Sequence, residues 1–261
     1  MKNKNAVLIT GASSGIGFEF ARVFASKGNN LVLVARRKNK LLELKKELES
    51  NFNISVSVIP LNLAEPKSSE ELFSKLIKNN FVIDVLINNA GFGYYGEFLS
   101  KDTLVDEEMI NLNILTLTKL TKLIANEMVK RASGKILNIG STAGFQPGPL
   151  MSLYCATKAF VNSFSEALAN ELKGTCVTVS VLCPGATESE FRIVAGSSNS
   201  RIFHKRKIPT SLDVAEFGYK FLMSGKPIAI HGFTNKFLVF SARFTPRRIV
   251  VSVAKFFIKS R

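Results

Sequence analysis

Short apolar runs alternating with longer segments of helical periodicity set the pattern of this chain. Residues 6–10, 31–35, 55–61, 82–87, 135–139 and 177–182 are each five to seven positions long and dominated by Val, Ile and Leu, which predicts buried strands. Between them, residues 18–26, 40–49, 72–78, 107–128 and 160–172 repeat apolar side chains at the spacing of a helix with one buried face. Strands that are apolar on both sides, each followed by a helix, predict an α/β chain whose parallel sheet is covered on both faces. Such sheets bind ligands at the carboxyl ends of their strands, where Gly11, Arg36, Asn62 and Asn88 all fall.

Length and composition narrow this reading without redirecting it. With 261 residues and 46% hydrophobic side chains, the chain can bury one sizeable core. His204 and His231 are isolated, which leaves a Ser-His-Asp triad or a His-rich metal site without support. Cys155, Cys176 and Cys183 lack metal-ligand spacing and read as small buried apolar side chains in a reducing compartment. The polar residues 1–5 lead straight into the first strand, so no signal peptide is expected and a cytoplasmic location is. The net charge of +15 is uneven, because residues 191–261 hold fourteen Lys/Arg against only Asp213 and Glu216. Basicity therefore belongs to the C-terminal quarter. No nucleic-acid reading motif accompanies it, and nucleic acid is not an expected partner.

Candidate chemistry begins where the first strand ends. Gly11, Gly15 and Gly17 stand in T-G-x-x-x-G-x-G, between a strand and a helix. That arrangement delivers the phosphates of a dinucleotide to free helix N–H groups, although a structural glycine turn has the same composition. At the end of the second strand, Ala35 stands where an acid would bind the ribose of NAD, and Arg36 follows. A guanidinium there suits a 2′-phosphate, so NADP(H) is expected over NAD(H). A merely solvated pair, Arg36 and Arg37, is the alternative. Asn113 lies in an apolar helix and needs hydrogen-bonding partners, in a site or in the core. Tyr154 and Lys158 fall at i and i+4 on one helix face. An ammonium there favours the phenolate and would draw the tyrosine pKa toward the range that acid–base catalysis uses.

Thr10-Gly11-x-x-x-Gly15-Ile16-Gly17, Asn88-Asn89-Ala90-Gly91, Asn113, Ser141, Tyr154-x-x-x-Lys158 and Pro184-Gly185 appear in the order and spacing of one family. Over roughly residues 5–230 the chain resembles the short-chain dehydrogenase/reductases. The resemblance implies a Rossmann-like, doubly wound parallel sheet in three α/β/α layers. It implies that Tyr154 exchanges a proton with the substrate oxygen, that Lys158 lowers the tyrosine pKa and holds the nicotinamide ribose, that Ser141 binds the substrate oxygen, and that Asn113 positions a relay water. Gly11, Ser13, Gly15, Ile16 and Gly17 would line the pyrophosphate and adenosine side, with Ser14 and Arg36 toward the 2′-phosphate and Arg37 among the cofactor contacts. Asn62 and Leu63 would lie near the adenine. Asn89, Ala90, Gly91, Pro184, Gly185 and Thr187 would frame the ribose and carboxamide. Two positions depart from the family: Asn62 stands where Asp is usual, and Gly140 where many members have Ser. A homodimer or homotetramer, built through the helices that carry Asn113 and Tyr154, is implied as well.

The expected activity is hydride transfer between NADP(H) and a carbonyl or secondary alcohol. The alternative is a dinucleotide-binding, membrane-surface module without turnover. Phe92, Tyr94, Tyr95, Phe145, Pro147, Leu150, Met151 and Leu153 flank the catalytic segments, and residues 189–210 read as a lid carrying Phe191, Ile193, Val194 and Phe203. That lining suits an apolar substrate, with part of it equally suited to core packing. Residues 1–233 read as the catalytic domain and 234–261 as a basic helical extension, restarting with Pro246 in the first turn of its last helix. There Arg248, Ser252, Lys255 and Lys259 make one polar stripe opposite Ile249, Val250, Val253, Phe256 and Phe257. A tail of that kind either packs on its own subunit or a neighbour, or lies on an anionic membrane, here the inner face.

Overall fold

In a computed structural model, which describes residues 4–196 and 208–259, seven strands form one parallel sheet in the order β3-β2-β1-β4-β5-β6-β7. They are β1 (Lys4–Thr10), β2 (Leu31–Ala35), β3 (Val56–Pro60), β4 (Phe81–Asn88), β5 (Gly134–Ile139), β6 (Val177–Cys183) and β7 (Ile228–Ile230). The first six stand where the apolar runs place them. Successive side chains in a strand point to opposite faces, and the core divides accordingly. Val7, Ile9, Leu31 and Leu33 pack under α1 (Gly15–Ser26), α2 (Lys38–Asn51) and α8 (Ser211–Met223). Ala6, Leu8, Val32 and Val34 pack under α3 (Ser68–Lys78), α5 (Leu117–Lys130) and α6 (Ser152–Glu171). The result is a doubly wound, three-layer α/β fold.

Strand order reverses between β1 and β4, and the crevice at such a switch point is where these sheets bind ligands. Phe20 and Phe24 of α1 are fully buried in the core layer between the sheet and α8, each contributing about 1.5–3 kcal/mol of hydrophobic stabilisation. The long helix expected over 107–128 is broken in character: α4 (Thr103–Ile110) passes through a π-helical turn (Asn111–Thr116) into α5. Asn113 sits in that turn.

Residues 211–230, for which the sequence pattern predicted no element, supply α8 and β7. The helix starts with a capping box in which Thr210 and Asp213 exchange side-chain and backbone hydrogen bonds. Of the expected lid, a short helix α7 (Phe191–Val194) is described, and Phe203 lies outside the described residues. The segment's two ends meet, because Glu188 N donates to Pro209 O at 2.9 Å and Glu188 pairs with Thr210. The tail forms α9 (Phe233–Ala242) and α10 (Arg247–Ile258). Pro246 caps α10 from just outside its first turn. The α10 side turned inward carries Val250 and Ala254, with Ile258 half-buried, whereas Ile249 and Val253 face outward. The tail's apolar side is thus split between protein and surface. Cys155 and Cys183 are buried as expected, but Cys176 is exposed.

Candidate active site

The nucleotide end is built from three backbone segments in close contact. Thr10, at the end of β1, accepts hydrogen bonds on its hydroxyl from Asn89 N and Ala90 N, both at 3.0 Å. Asn89 Nδ2 in turn donates to Thr10 O (3.0 Å) and Gly11 O (3.2 Å). Gly11 turns the chain at φ +66°, and a Cβ there would fall 2.8 Å from Asn89 Nδ2; a Cβ on Gly17 would run into the same atom. Gly11 and Gly17 therefore let the segment after β4 lie directly against the first turn.

Ser14 precedes α1 in extended geometry without capping it, and the first turn carries no acidic residue. The N–H groups of Gly15, Ile16 and Gly17 thus have no side-chain cap, which is the donor set an anion requires. The Ser14 hydroxyl instead accepts from Arg37 Nη2 at 2.7 Å, and the same guanidinium reaches Ser13 Oγ at 3.0 Å. It also pairs with Glu190 at 2.8 Å. That bond holds the Glu190 carboxyl below its usual range. Arg36 is exposed and makes no hydrogen bond among the described residues, so Arg37 and not Arg36 stands beside the serines. Bare helix N–H groups, close-packed glycines and an adjacent guanidinium fit the phosphates of a dinucleotide.

Toward the adenine side, Asn62 closes its own turn by accepting from Ala64 N and donating to Glu65 at 2.8 Å. Leu63 is buried, and its carbonyl accepts from Ser68 and Thr116. Across the crevice Pro184 O accepts from Thr142 N at 2.9 Å, and Thr187 Oγ1 donates to Gly185 O at 3.1 Å.

The catalytic candidates converge at the ends of β5 and β6. Lys158 Nζ is buried and donates to Ile139 O at 2.7 Å; it lies 5.9 Å from the centre of the Tyr154 ring. Burial pulls its pKa down to about 8. Burial also pushes the Tyr154 phenol well above its ordinary value, opposed by a hydrogen bond with Ser141. The lowering of the phenol expected from the i, i+4 spacing is outweighed here, because desolvation disfavours both charged forms. Tyr154 is held between Gly93, where a Cβ would lie 2.6 Å from the ring, and Phe191 of α7 at 5.2 Å between ring centres.

Asn113 joins two segments. Its Nδ2 donates to Phe92 O (2.9 Å) and Thr157 Oγ1 (3.1 Å), and its Oδ1 accepts from Phe92 N (3.2 Å). Both side-chain donors are thereby used within the protein.

Three contributions escaped the sequence reading. Asn162, one helical turn beyond Lys158, grips the backbone of Ser141, accepting from its N at 3.4 Å and donating to its O at 3.1 Å. A Cβ on Gly140 would collide with Asn162 Oδ1, which accounts for glycine at this position. Asn88, Asn138 and Ser165 form a buried chain of hydrogen bonds linking β4, β5 and α6. Asn162 lies at the helical spacing i, i+4, i+8 from Tyr154 and Lys158, a signal the sequence did carry. Two of the aromatic residues expected around the substrate prove structural: Tyr94 donates to Asp106 at 2.7 Å, and Phe145 packs against Val161, Val181 and Cys183.

Residues 5–199 match the family described as short chain dehydrogenase. Over 184 residues the chain is 38% identical to the very-long-chain 3-oxoacyl-CoA reductase of Homo sapiens, covering 68% of this chain and 57% of that protein. The chain thus aligns with little more than half the length of that relative. It is 37% identical over 198 residues to the NADP-dependent 3-hydroxy acid dehydrogenase of Schizosaccharomyces pombe, covering 72% of this chain and 73% of that one. A short-chain dehydrogenase from Sphingobium yanoikuyae, solved in complex with NADPH, superposes with a TM-score of 0.82 at 33% identity, covering 92% of this chain and 94% of the other. With three quarters of its length matched, this chain belongs to the short-chain dehydrogenase family.

Proposed function

We propose that the protein is an NADP(H)-dependent oxidoreductase that interconverts a carbonyl and a secondary alcohol on an apolar substrate. The observation that carries this reading is the convergence of Tyr154, Ser141 and Lys158 at the strand ends beside the uncapped first turn of α1. Two relatives, an NADP-dependent 3-hydroxy acid dehydrogenase and a short-chain dehydrogenase solved with NADPH, support the choice of coenzyme.

Gly11, Gly15, Ile16 and Gly17 would hold the pyrophosphate on the α1 N–H groups. Ser13, Ser14 and Arg37 would take the 2′-phosphate, with Arg36 nearby in solvent, and Asn62 and Leu63 the adenine side. Asn89, Ala90, Gly91, Pro184, Gly185 and Thr187 would frame the nicotinamide half, which when bound supplies or accepts the hydride. Burial keeps Tyr154 protonated, so its hydroxyl acts as the acid that donates to the oxygen of a carbonyl as charge develops there. Ser141 donates a second hydrogen bond to the same oxygen, and Asn162 fixes where Ser141 stands. Lys158 supplies positive charge near the phenolate that proton transfer leaves. Asn113 ties the loop after β4 to α6, and the π turn that carries it would position a water through which protons pass between Lys158 and solvent.

Phe191 on the Tyr154 ring, with exposed Ile193 and Val194, favours an apolar substrate. The name of the human relative specifies a very-long-chain substrate. Exposed apolar residues on the helices bearing Asn113 and Tyr154 (Ile110, Leu115, Phe160) support a homodimer or homotetramer through them.

The test is consumption of NADPH and NADH across apolar and small charged carbonyls, with Tyr154→Phe in parallel. Turnover with NADPH and an apolar ketone, lost in the variant, is the expected result. Best turnover with charged keto acids overturns the substrate assignment. Tight NADPH binding without turnover of any carbonyl overturns the enzymatic one.

A further inference from the structure

α10 buries one apolar stripe and displays another, whereas α9 buries only Val239 and displays the rest of its large apolar side chains. In α9, Phe233, Phe237 and Phe240 recur at i, i+4 and i+7 and are 86%, 62% and 58% exposed, continued by Phe244 beyond its end. In α10, Ile249 and Val253 repeat the pattern beside the inward Val250 and Ala254. Interleaved with these are Lys236, Arg243, Arg247, Arg248, Lys255 and Lys259, none paired with a carboxylate among the described residues. No Asp or Glu side chain occurs anywhere from residue 217 to residue 261. The tail is also seated at the active site: α9 packs on the Thr142–Phe145 turn next to Ser141, Asn235 fills the space beside Gly185, and Ile258 lies against Gly148.

We infer that α9 and α10 form a docking face for an anionic lipid bilayer, which sets the carboxyl edge of the sheet, and with it the site, against the lipid. The charge decides the occupant. A self-complementary contact with a second copy would bring two carboxylate-free basic surfaces together, and like charges left facing each other oppose it. Nucleic acid would satisfy the cations and leave the phenylalanines in water. An anionic bilayer meets both, with acyl chains for the rings and headgroup phosphates for the guanidinium and ammonium groups. The helices are too short to do more than lie in the interface: ten and twelve residues span roughly 15 and 18 Å, against about 30 Å of hydrocarbon. No described helix is long and apolar enough to cross a membrane. Leu99 and Ile193, on the segments that follow β4 and β6, are 93% and 69% exposed and extend the apolar rim along the same edge. The proposal deepens the reading above only in the route it gives an apolar substrate, which would reach the site from the lipid.

The test is flotation of the full-length protein with phosphatidylcholine vesicles prepared with and without phosphatidylglycerol. Two double variants are compared, Phe237→Ser with Phe240→Ser, and Arg247→Glu with Arg248→Glu. The wild-type protein is expected to float only with phosphatidylglycerol and to be released by salt, with partition at least about tenfold weaker in each variant. NADPH turnover of a water-soluble ketone should be unchanged in both, which shows that they fold. A wild-type protein that stays with the unbound fraction overturns the inference, as does equal flotation of wild type and variants. It is equally overturned if the variants lower the solution mass by light scattering without altering flotation, since the face then belongs to a second copy. Phosphatidylglycerol-dependent flotation of a wild-type protein that turns over no carbonyl with NADPH would count against the enzymatic reading alone.

Discussion

Lys158 sets stability against chemistry. In the unfolded chain it holds its proton up to its ordinary pKa of 10.5, and in the folded protein only to about 8. The unfolded state therefore binds the proton more tightly. Folding carries a penalty that is full below pH 8 and is relieved as pH rises from about 8 to 10.5. Replacing Lys158 with Met removes the charge and keeps most of the stem, at the cost of the bond to Ile139 O. We expect the variant to lose turnover yet gain up to about 2 kcal/mol at pH 7, the gain vanishing near pH 10, as read by denaturant unfolding at both pH values. A second prediction concerns Gly140. Serine there meets Asn162 Oδ1, so Gly140→Ser should cost about 1–3 kcal/mol and lower kcat by displacing Ser141, with the affinity for NADPH unchanged. Tyr154 and Lys158 were legible in the sequence as candidates because a fixed i, i+4 spacing announces them, and Ser141 only through its place in the family's motif order. Asn162 continues the i, i+4, i+8 row of Tyr154 and Lys158, but its partners are main-chain atoms of Ser141 after β5, which that spacing does not name. The direction of the Tyr154 pKa was misjudged for a related reason: i, i+4 spacing shows the neighbour's charge but not the depth of burial.

Among the elements, the connection after β2 and the short helix α7 are joined by the Arg37–Glu190 pair. A coenzyme 2′-phosphate would compete with the Glu190 carboxylate for one guanidinium. Arg37→Ala should cut the preference for NADPH over NADH by at least about tenfold, whereas Glu190→Gln should tighten NADPH severalfold and leave NADH unaffected, both measured by fluorescence titration. Equal losses for the two coenzymes in Arg37→Ala would show that the arginine only braces the loop. The strands β1–β6 were legible because a strand buried on both faces must be apolar at every position, which leaves an unbroken run. β7 is three residues long and follows Pro227, too short to register. The capping-box residues Thr210 and Asp213 do mark the start of α8, a signal of hydrogen-bonding side chains that a reading of apolar periodicity passes over. The π turn around Asn113 has no signature in apolar periodicity, since it inserts a single residue into an otherwise regular helix.

For the whole molecule, the proposed phosphate site draws on the ends of β1, β2 and β4 together, so coenzyme binding should stabilise the fold as one unit. At a hundredfold excess over Kd the gain is about 2.7 kcal/mol, and NADPH should raise Tm more than NADH at equal concentration. Equal shifts would argue against a 2′-phosphate site at Ser14 and Arg37. The three-layer architecture was visible in the alternation of strand and helix alone. The second apolar stripe of the tail was not, because which side of α10 turns inward is settled by tertiary surfaces such as the one Ile258 meets at Gly148. One further feature bears on how such a molecule diversifies. Glu188 and Pro209 are joined by a hydrogen bond, so the chain leaves the scaffold and rejoins it at nearly the same point. Closing a loop costs only about 0.6 kcal/mol more for each doubling of its length. Changes of length between those two residues, beyond Phe191, are therefore expected to retune what the site accepts at little cost to the sheet beneath.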